Sequence, residues 1–271
     1  MEDIQKIIRG RRSVRTFDGR ALDAADLEKL SSFFKEIENP YGVPVAFKFL
    51  DAKKQELSCP VVSGTSLFVG AKVPRIPQAE EAFGYSFEML VLYAQSLGIG
   101  TVWVGGTMDR PAFERAMDLH ADERMPCMSP LGYPAKKMSL RESMMRKAVK
   151  ADQRSPFETL FFDGAFDTPL TKEKAGRLTE PLEMVRRAPS AVNKQPWRAV
   201  FTPDGVHFYL RQSKGFVSDA VGNMQKVDLG IALCHFALMA KENGIGLCFH
   251  RSDPGIPSPA DTQYIASYLF V

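Results

Sequence analysis

Two stretches of the chain are apolar on almost every side. Phe83 to Leu97 is hydrophobic with little polar relief until Gly98 stops it, and Asp228 to Asn243 repeats the pattern ahead of Gly244. A helix without a solvated face must be buried all round, and two of them in one chain pack most simply on each other. They also share landmarks. Gly84 and Gly98 have the spacing of Gly230 and Gly244, each helix closes on Gly-Ile-Gly (98–100 and 244–246), and a strand-like run follows each. A capped helix and a strand precede each in the same order. Shared order with shared spacing reads as an internal repeat.

The remaining pattern fills in both halves. Ile4, Ile7 and Ile8 predict a short amphipathic helix ending near Gly10. Asp23 reads as an N-cap for a helix with Leu27, Leu30, Phe34 and Ile37 on one face, closed by the turn Asn39-Pro40-Tyr41-Gly42. Strands are predicted at 45–49, 66–69, 101–104 and 128–131, and a short helix at 111–117. Leu140 to Ala151 is a basic helix, and the chain on to Gly164 reads as a crossover with a solvated cationic face. In the second half Thr171 is an N-cap, Leu178, Leu182 and Val185 follow at helical spacing, and Pro181 restarts the helix. Strands are predicted at 199–201, 206–210, 247–250 and 264–271, the last suited to a sheet edge. The expected fold is α+β. Two pseudo-symmetric α/β halves, 1–150 and 151–271, carry mainly antiparallel sheets flanked by helices around a central helix pair.

Composition narrows the function without defining it. A hydrophobic share of 45% and a net charge of +3 fit a folded soluble chain and give no general basis for nucleic-acid or membrane binding. Cys59, Cys127, Cys234 and Cys248 are scattered without a C-x-x-C pair, so they read as buried reduced thiols, with no metal site. His235 reads as a core residue. The polar, acidic start is unlike a signal peptide, and the apolar run Ile231 to Ala240 is about half of a bilayer span. A cytoplasmic location is expected.

One stretch resists a structural reading. Arg187-Ala-Pro-Ser-Ala-Val-Asn-Lys-Gln-Pro-Trp-Arg198 lies between a helix and a strand, and its two prolines bar regular structure by removing donors and extending their neighbours. Ser190, Asn193 and Gln195 place short polar side chains on this fixed backbone. It reads as a ligand-binding loop.

Four motifs then share one precedent. Arg-Arg-Ser-x-Arg at 11–15, Gly-x-Gly-Thr-x-Trp-x-Gly-Gly at 98–106, Gly-Tyr-Pro-Ala-x-Lys at 132–137 and Pro-Ser-x-x-Asn-x-Gln-Pro-Trp at 189–197 resemble the FMN-dependent nitroreductase superfamily over most of the chain. In ordinary members the Pro-Ser loop follows soon after the Arg motif, and each flavin lies between two subunits. Here Asn39 to Pro44 stands at that point, and the loop occurs only in the second half, which lacks the Arg and Gly-Tyr-Pro-Ala motifs. The resemblance is to a single-chain, two-halved branch. It implies one FMN site per chain in a monomer acting as a pseudo-dimer, with further self-association left open.

The resemblance assigns Arg11, Arg12 and Ser13 to the phosphate and ribityl chain, with Lys137 and Arg141 closing the phosphate from the other side. Arg15 matches the cation near the flavin N1/O2 edge, Gly105 and Gly106 the backbone near N5 and O4, and Pro189, Ser190, Ala191 and Asn193 the loop along the ring. Gln195 and Trp197 are expected to hold that loop's shape, and Phe87 and Trp103 to be core. No side chain serves as nucleophile or general acid. The implied activity is ping-pong hydride transfer from NAD(P)H through flavin N5 to a small electron-poor acceptor, such as a nitroaromatic or quinone. A dehalogenase, a flavin-consuming enzyme and a non-catalytic FMN-binding protein are the alternatives.

Overall fold

In the N-terminal half the chain forms α1 (Ile4–Gly10), α2 (Ala24–Glu36), β1 (Ala46–Asp51), β2 (Leu67–Pro74), α3 (Ala79–Ser96), α4 (Arg110–Ala116), β3 (Glu123–Arg124), β4 (Met128–Pro130) and α5 (Leu140–Ala148). The structure, a computed structural model, describes residues 1–271. β2 is the hub of the first sheet: β1 pairs along one side, and β4 and β3 share the other, all antiparallel. Then follow β5 (Phe161–Asp163), α6 (Lys172–Ala175), α7 (Thr179–Arg187), β6 (Trp197–Thr202), β7 (Gly205–Arg211), β8 (Val217–Ser218), β9 (Gly222–Asn223), α8 (Met224–Glu242), β10 (Leu247–His250) and β11 (Thr262–Phe270). The second sheet has the order β10-β11-β7-β6-β5, antiparallel except for the β5–β6 pair, and β8–β9 is a small separate ribbon. The expected α+β architecture is therefore the observed one.

The all-apolar helices α3 and α8 are the central pair, and glycine sets their separation. A Cβ on Gly84 would overlap the Val227 carbonyl, and one on Gly230 would overlap the Glu81 carbonyl. Each glycine thus opens the groove in which the other helix's backbone rests, and Leu90, Val91, Leu229, Leu233 and Phe236 continue into one core spanning both halves. Gly98 and Gly244 follow the two helices with φ +74° and +67°, the left-handed geometry that favours glycine beyond a helix end. Between the helices His235 Nδ1 meets the Met184 carbonyl at 2.8 Å and Nε2 meets Glu88 Oε1 at 2.9 Å. A carbonyl only accepts, so Nδ1 carries a hydrogen, and the histidine–carboxylate contact must hold one more proton. Trp103 Nε1 donates to the other Glu88 oxygen at 2.9 Å. His235 and Phe87 are core residues, as expected, and Trp103 packs half-buried against Phe87.

The N-terminal helix is pinned to the second half. Ile4, Ile7 and Ile8 pack with Leu92, Met184, Cys234 and Met239, and the Ile4 N–H donates to Glu242 Oε1 at 2.7 Å.

Several expectations need correction. Residues 101–104 form no strand: Thr101 bridges Ser13 and Val104 bridges Met128, so no partner runs alongside long enough for a ladder. The crossover holds a core element, because β5 joins the second sheet and Phe157, Leu160 and Phe161 are buried. β11 lies between β10 and β7 rather than at an edge. The edge is β10, where Cys248 is exposed instead of buried; Cys127 and Cys234 are buried, Cys59 is half-buried, and all four are free.

Candidate functional site

The segment 11–17 leaves α1 as extended chain and is fixed by its neighbours. Val14 N–H donates to Thr101 O at 2.9 Å, Ser63 N–H to Arg15 O at 2.9 Å, and Phe17 N–H to Ser63 O at 2.9 Å. With the backbone held on both sides, the arginine side chains project from a rigid base. Arg12 reaches Glu142 on α5 at 3.4 Å. Arg11 and Arg15 form no ion pair, and Arg11 Nε and Nη1 and Arg15 Nε are buried without a hydrogen-bond partner. Burial lowers the pKa of both guanidiniums. Glu88 opposes this at Arg11 and Glu142 at Arg15, while the Arg146 cation reinforces it at both.

The Pro-Ser loop is equally fixed. Ala191 to Asn193 form a single tight turn in which Val192 and Asn193 have positive φ, 44° and 58°, and Gln195 follows at 50°. A β-branched residue in left-handed geometry is strained, and such strain persists only where surrounding bonds enforce it. Here they do. Ser190 Oγ accepts from Gln195 N–H at 2.9 Å, Gln195 Oε1 accepts from Ser155 N–H at 2.9 Å, and the Asn193 amide donates to the Lys150 and Gln153 carbonyls at 2.8 and 3.1 Å. Asp228, in the second turn of α8, accepts the Ala191 N–H at 2.9 Å through Oδ1, while its buried Oδ2 has no partner. Burial raises this carboxyl to about 8, against the lowering effect of the Ala191 hydrogen bond.

The Gly105-Gly106 turn reaches the same end of α8. A Cβ on Gly105 would lie 3.7 Å from Met224 Cε and 3.3 Å from Cys127 Sγ, whereas one on Gly106 would meet open space. Arg110 donates to the Gly105 carbonyl at 2.6 Å and fixes the turn.

A family model described as "Putative TM nitroreductase" matches residues 3–240. The chain belongs to this nitroreductase family. A search of the curated proteins finds no match. Among solved structures, a "putative nitroreductase" of Thermotoga maritima is similar at 20% identity over 98% of this chain and 93% of its own, with a TM-score of 0.62. An FMN-dependent nitroreductase of Clostridium difficile aligns over 53% of this chain and 95% of its own, at 14% identity and a TM-score of 0.43. An iodotyrosine deiodinase bound to FMN and 3-iodo-L-tyrosine aligns over 50% of this chain and 92% of its own, at 17% identity and a TM-score of 0.42.

In this nitroreductase fold the expected site residues fall into two groups. Arg11, Ser13 and Arg15 lie on the segment pinned to Thr101 and Ser63, while Gly105 and the Pro189–Asn193 loop meet the start of α8 from opposite halves. Lys137 and Arg141 flank residues that bond to the arginine segment: Ala135 N–H donates to Thr16 O at 3.0 Å, and Glu142 pairs with Arg12. Lys137 and Arg141 are themselves exposed, and Arg141 donates to the Pro60 carbonyl at 2.6 Å. Asn193 spends its side-chain amide on the protein, as the Ala191 N–H does. Gln195 and Trp197 are both buried, and Gln195 ties the loop through its bonds to Ser155 and Ser190. Two residues were missed by the sequence reading. Arg154 lies in the segment whose composition predicts a solvated face, yet it donates to the Ala151, Gln153 and Arg187 carbonyls and to Asn193 Oδ1. The signal available was the apolar cluster Phe157 to Phe162 just beyond it. Asp228 was a lone acid opening an apolar helix, where burial was the natural inference. No helix is long and apolar enough to cross a membrane.

Proposed function

We propose that the chain holds one FMN between halves 1–150 and 151–271 and is an NAD(P)H-dependent oxidoreductase acting on small electron-poor acceptors. The observation that carries this reading is the pair of unpaired, partly buried cations Arg11 and Arg15 on a fixed backbone. A buried charge is stable only when paired, and a bound anion answers that demand. The phosphate of FMN and the electron-rich N1/O2 edge of its ring are two such partners on one molecule.

When bound, FMN supplies a hydride-carrying N5 between nicotinamide and acceptor. The residues bind and orient. Arg15 places a cation where negative charge grows on reduction, which stabilises the reduced form. Gly106, without a side chain and with open space at the Cβ position, lets a flat ring approach the backbone. Ser190 Oγ, which already accepts from Gln195, keeps its own O–H to donate. Pro189 and the strained turn after it present a rigid wall from the opposite half.

Purified protein reconstituted with FMN should show a bound-flavin visible spectrum and sustain NADH or NADPH oxidation with menadione or nitrofurazone. Bound flavin without turnover would leave only a binding role. Failure to retain any flavin would overturn the proposal.

A further inference from the structure

Three arginines converge without a carboxylate between them. Arg154, on the connection between the halves, directs Nη2 to the Arg187 carbonyl at 3.3 Å and Nη1 to Asn193 Oδ1 at 3.4 Å. Arg154, Arg187 and Arg11 form no ion pair, and each has a buried Nε with no hydrogen-bond partner. Burial pulls the Arg154 guanidinium down to about 10, and the Arg11 and then the Arg187 cation are the next causes. The nearby acids are otherwise engaged. Asp152 is exposed and pairs with Arg146 at 2.5 Å, Glu183 pairs with Arg186 at 2.8 Å, and both Glu88 oxygens are taken by Trp103 and His235. A groove of about 530 Å³ opens beside the cluster, lined by Gln153, Arg154, Ser155, Val192, Asn193 and Gln195.

We propose that Arg154 and Arg187, together with Arg11, seat the phosphate of the bound flavin, in place of the exposed Lys137 and Arg141. This rests on the FMN reading above. Three guanidiniums without ion pairs, each with a buried, unpartnered Nε, are stabilised most by a dianion, and a phosphate monoester offers two charges and three acceptor oxygens. The cluster is preformed: four protein oxygens hold Arg154 in place while its Nε stays free. The seat also spans the molecule. Arg11 comes from the first half, Arg187 ends the helix leading into the Pro-Ser loop, and Arg154 lies on the chain joining them. Phosphate binding is therefore also a clasp between the halves.

The test is equilibrium titration of the full chain with FMN and with riboflavin, which lacks only the phosphate, following flavin fluorescence. Wild type should prefer FMN by about a hundredfold or more, two charge-assisted contacts each being worth about tenfold. Arg154→Ala and Arg187→Ala should each weaken FMN by at least about tenfold and leave riboflavin unchanged. Arg154→Lys, which keeps the charge and loses the fork, should fall between. Lys29→Ala, removing an exposed cation on α2, should change neither. Equal loss of both flavins in the arginine variants, or FMN affinity equal to wild type, would overturn the proposal. So would a wild type that binds FMN and riboflavin alike, although flavin binding itself would stand. A wild type that binds neither flavin would instead contradict the FMN reading.

Discussion

At the scale of single residues, Arg15 and Asp228 make opposite predictions. In the proposed site Arg15 faces the flavin edge where negative charge grows only on reduction, so its removal should impair reduction more than binding of the oxidised flavin. Arg15→Ala should keep FMN while slowing acceptor reduction by about tenfold or more, the equivalent of one lost charge contact of ~1.4 kcal/mol in the transition state. Stopped-flow measurement of the reductive and oxidative half-reactions checks this, and rates equal to wild type would remove Arg15 from the chemistry. Asp228 is an acid kept neutral by burial, raised from 3.8 to about 8. Across that interval the folded state holds a proton that the unfolded state has released. Stability is therefore full below about pH 4 and is lost as pH rises towards about 8, at up to ~1.4 kcal/mol per pH unit. Asp228→Asn should flatten this decline while keeping an acceptor for the Ala191 N–H. Melting temperatures of both proteins from about pH 5 to about pH 8 test it, and parallel curves would contradict it. Neither the Asp228 bond to the Pro-Ser loop nor the bonding of Arg154 was legible in the sequence. Both come from neighbours distant in the chain: Ala191 for Asp228, and Arg187 and Asn193 for Arg154.

At the scale of elements, the α3–α8 crossing is where one methyl group does most damage. A Cβ at Gly84 or Gly230 meets backbone, which cannot swing aside as a side chain would. Gly84→Ala should cost about 3 kcal/mol or more, a fall in melting temperature of roughly 10 °C, whereas Gly106→Ala, facing open space, should cost under about 1 kcal/mol. Thermal denaturation of the two variants decides it, and equal losses would mean that the crossing is looser than described. The two helices and their pairing were legible because an all-round apolar pattern has no other use. The start of α3 at Ala79 was missed because it opens on Glu80 and Glu81, whose buried side chains are matched by Arg124 and Lys226 from elsewhere in the fold. β5 escaped notice for the same kind of reason: three residues pairing in parallel with β6 leave no local period.

For the whole molecule, the late position of the Pro-Ser loop was the most informative feature of the sequence. The repeat suggests two halves, and the motifs missing from each imply, by resemblance, that neither holds a whole site. The fold gives this physical form, with one continuous core around α3 and α8 and α1 of the first half locked onto Glu242 of the second. The proposed phosphate seat was beyond reach, because only the fold brings Arg154 to the Arg187 carbonyl and to Asn193. In the proposed arrangement one chain does the work of two subunits around a single flavin. The most direct test is the flavin content of the reconstituted protein, with FMN released by denaturation and quantified against a chain concentration from amino-acid analysis. One FMN per chain is expected; two per chain, or one shared between two chains, would rule out a single site formed by the two halves of one chain.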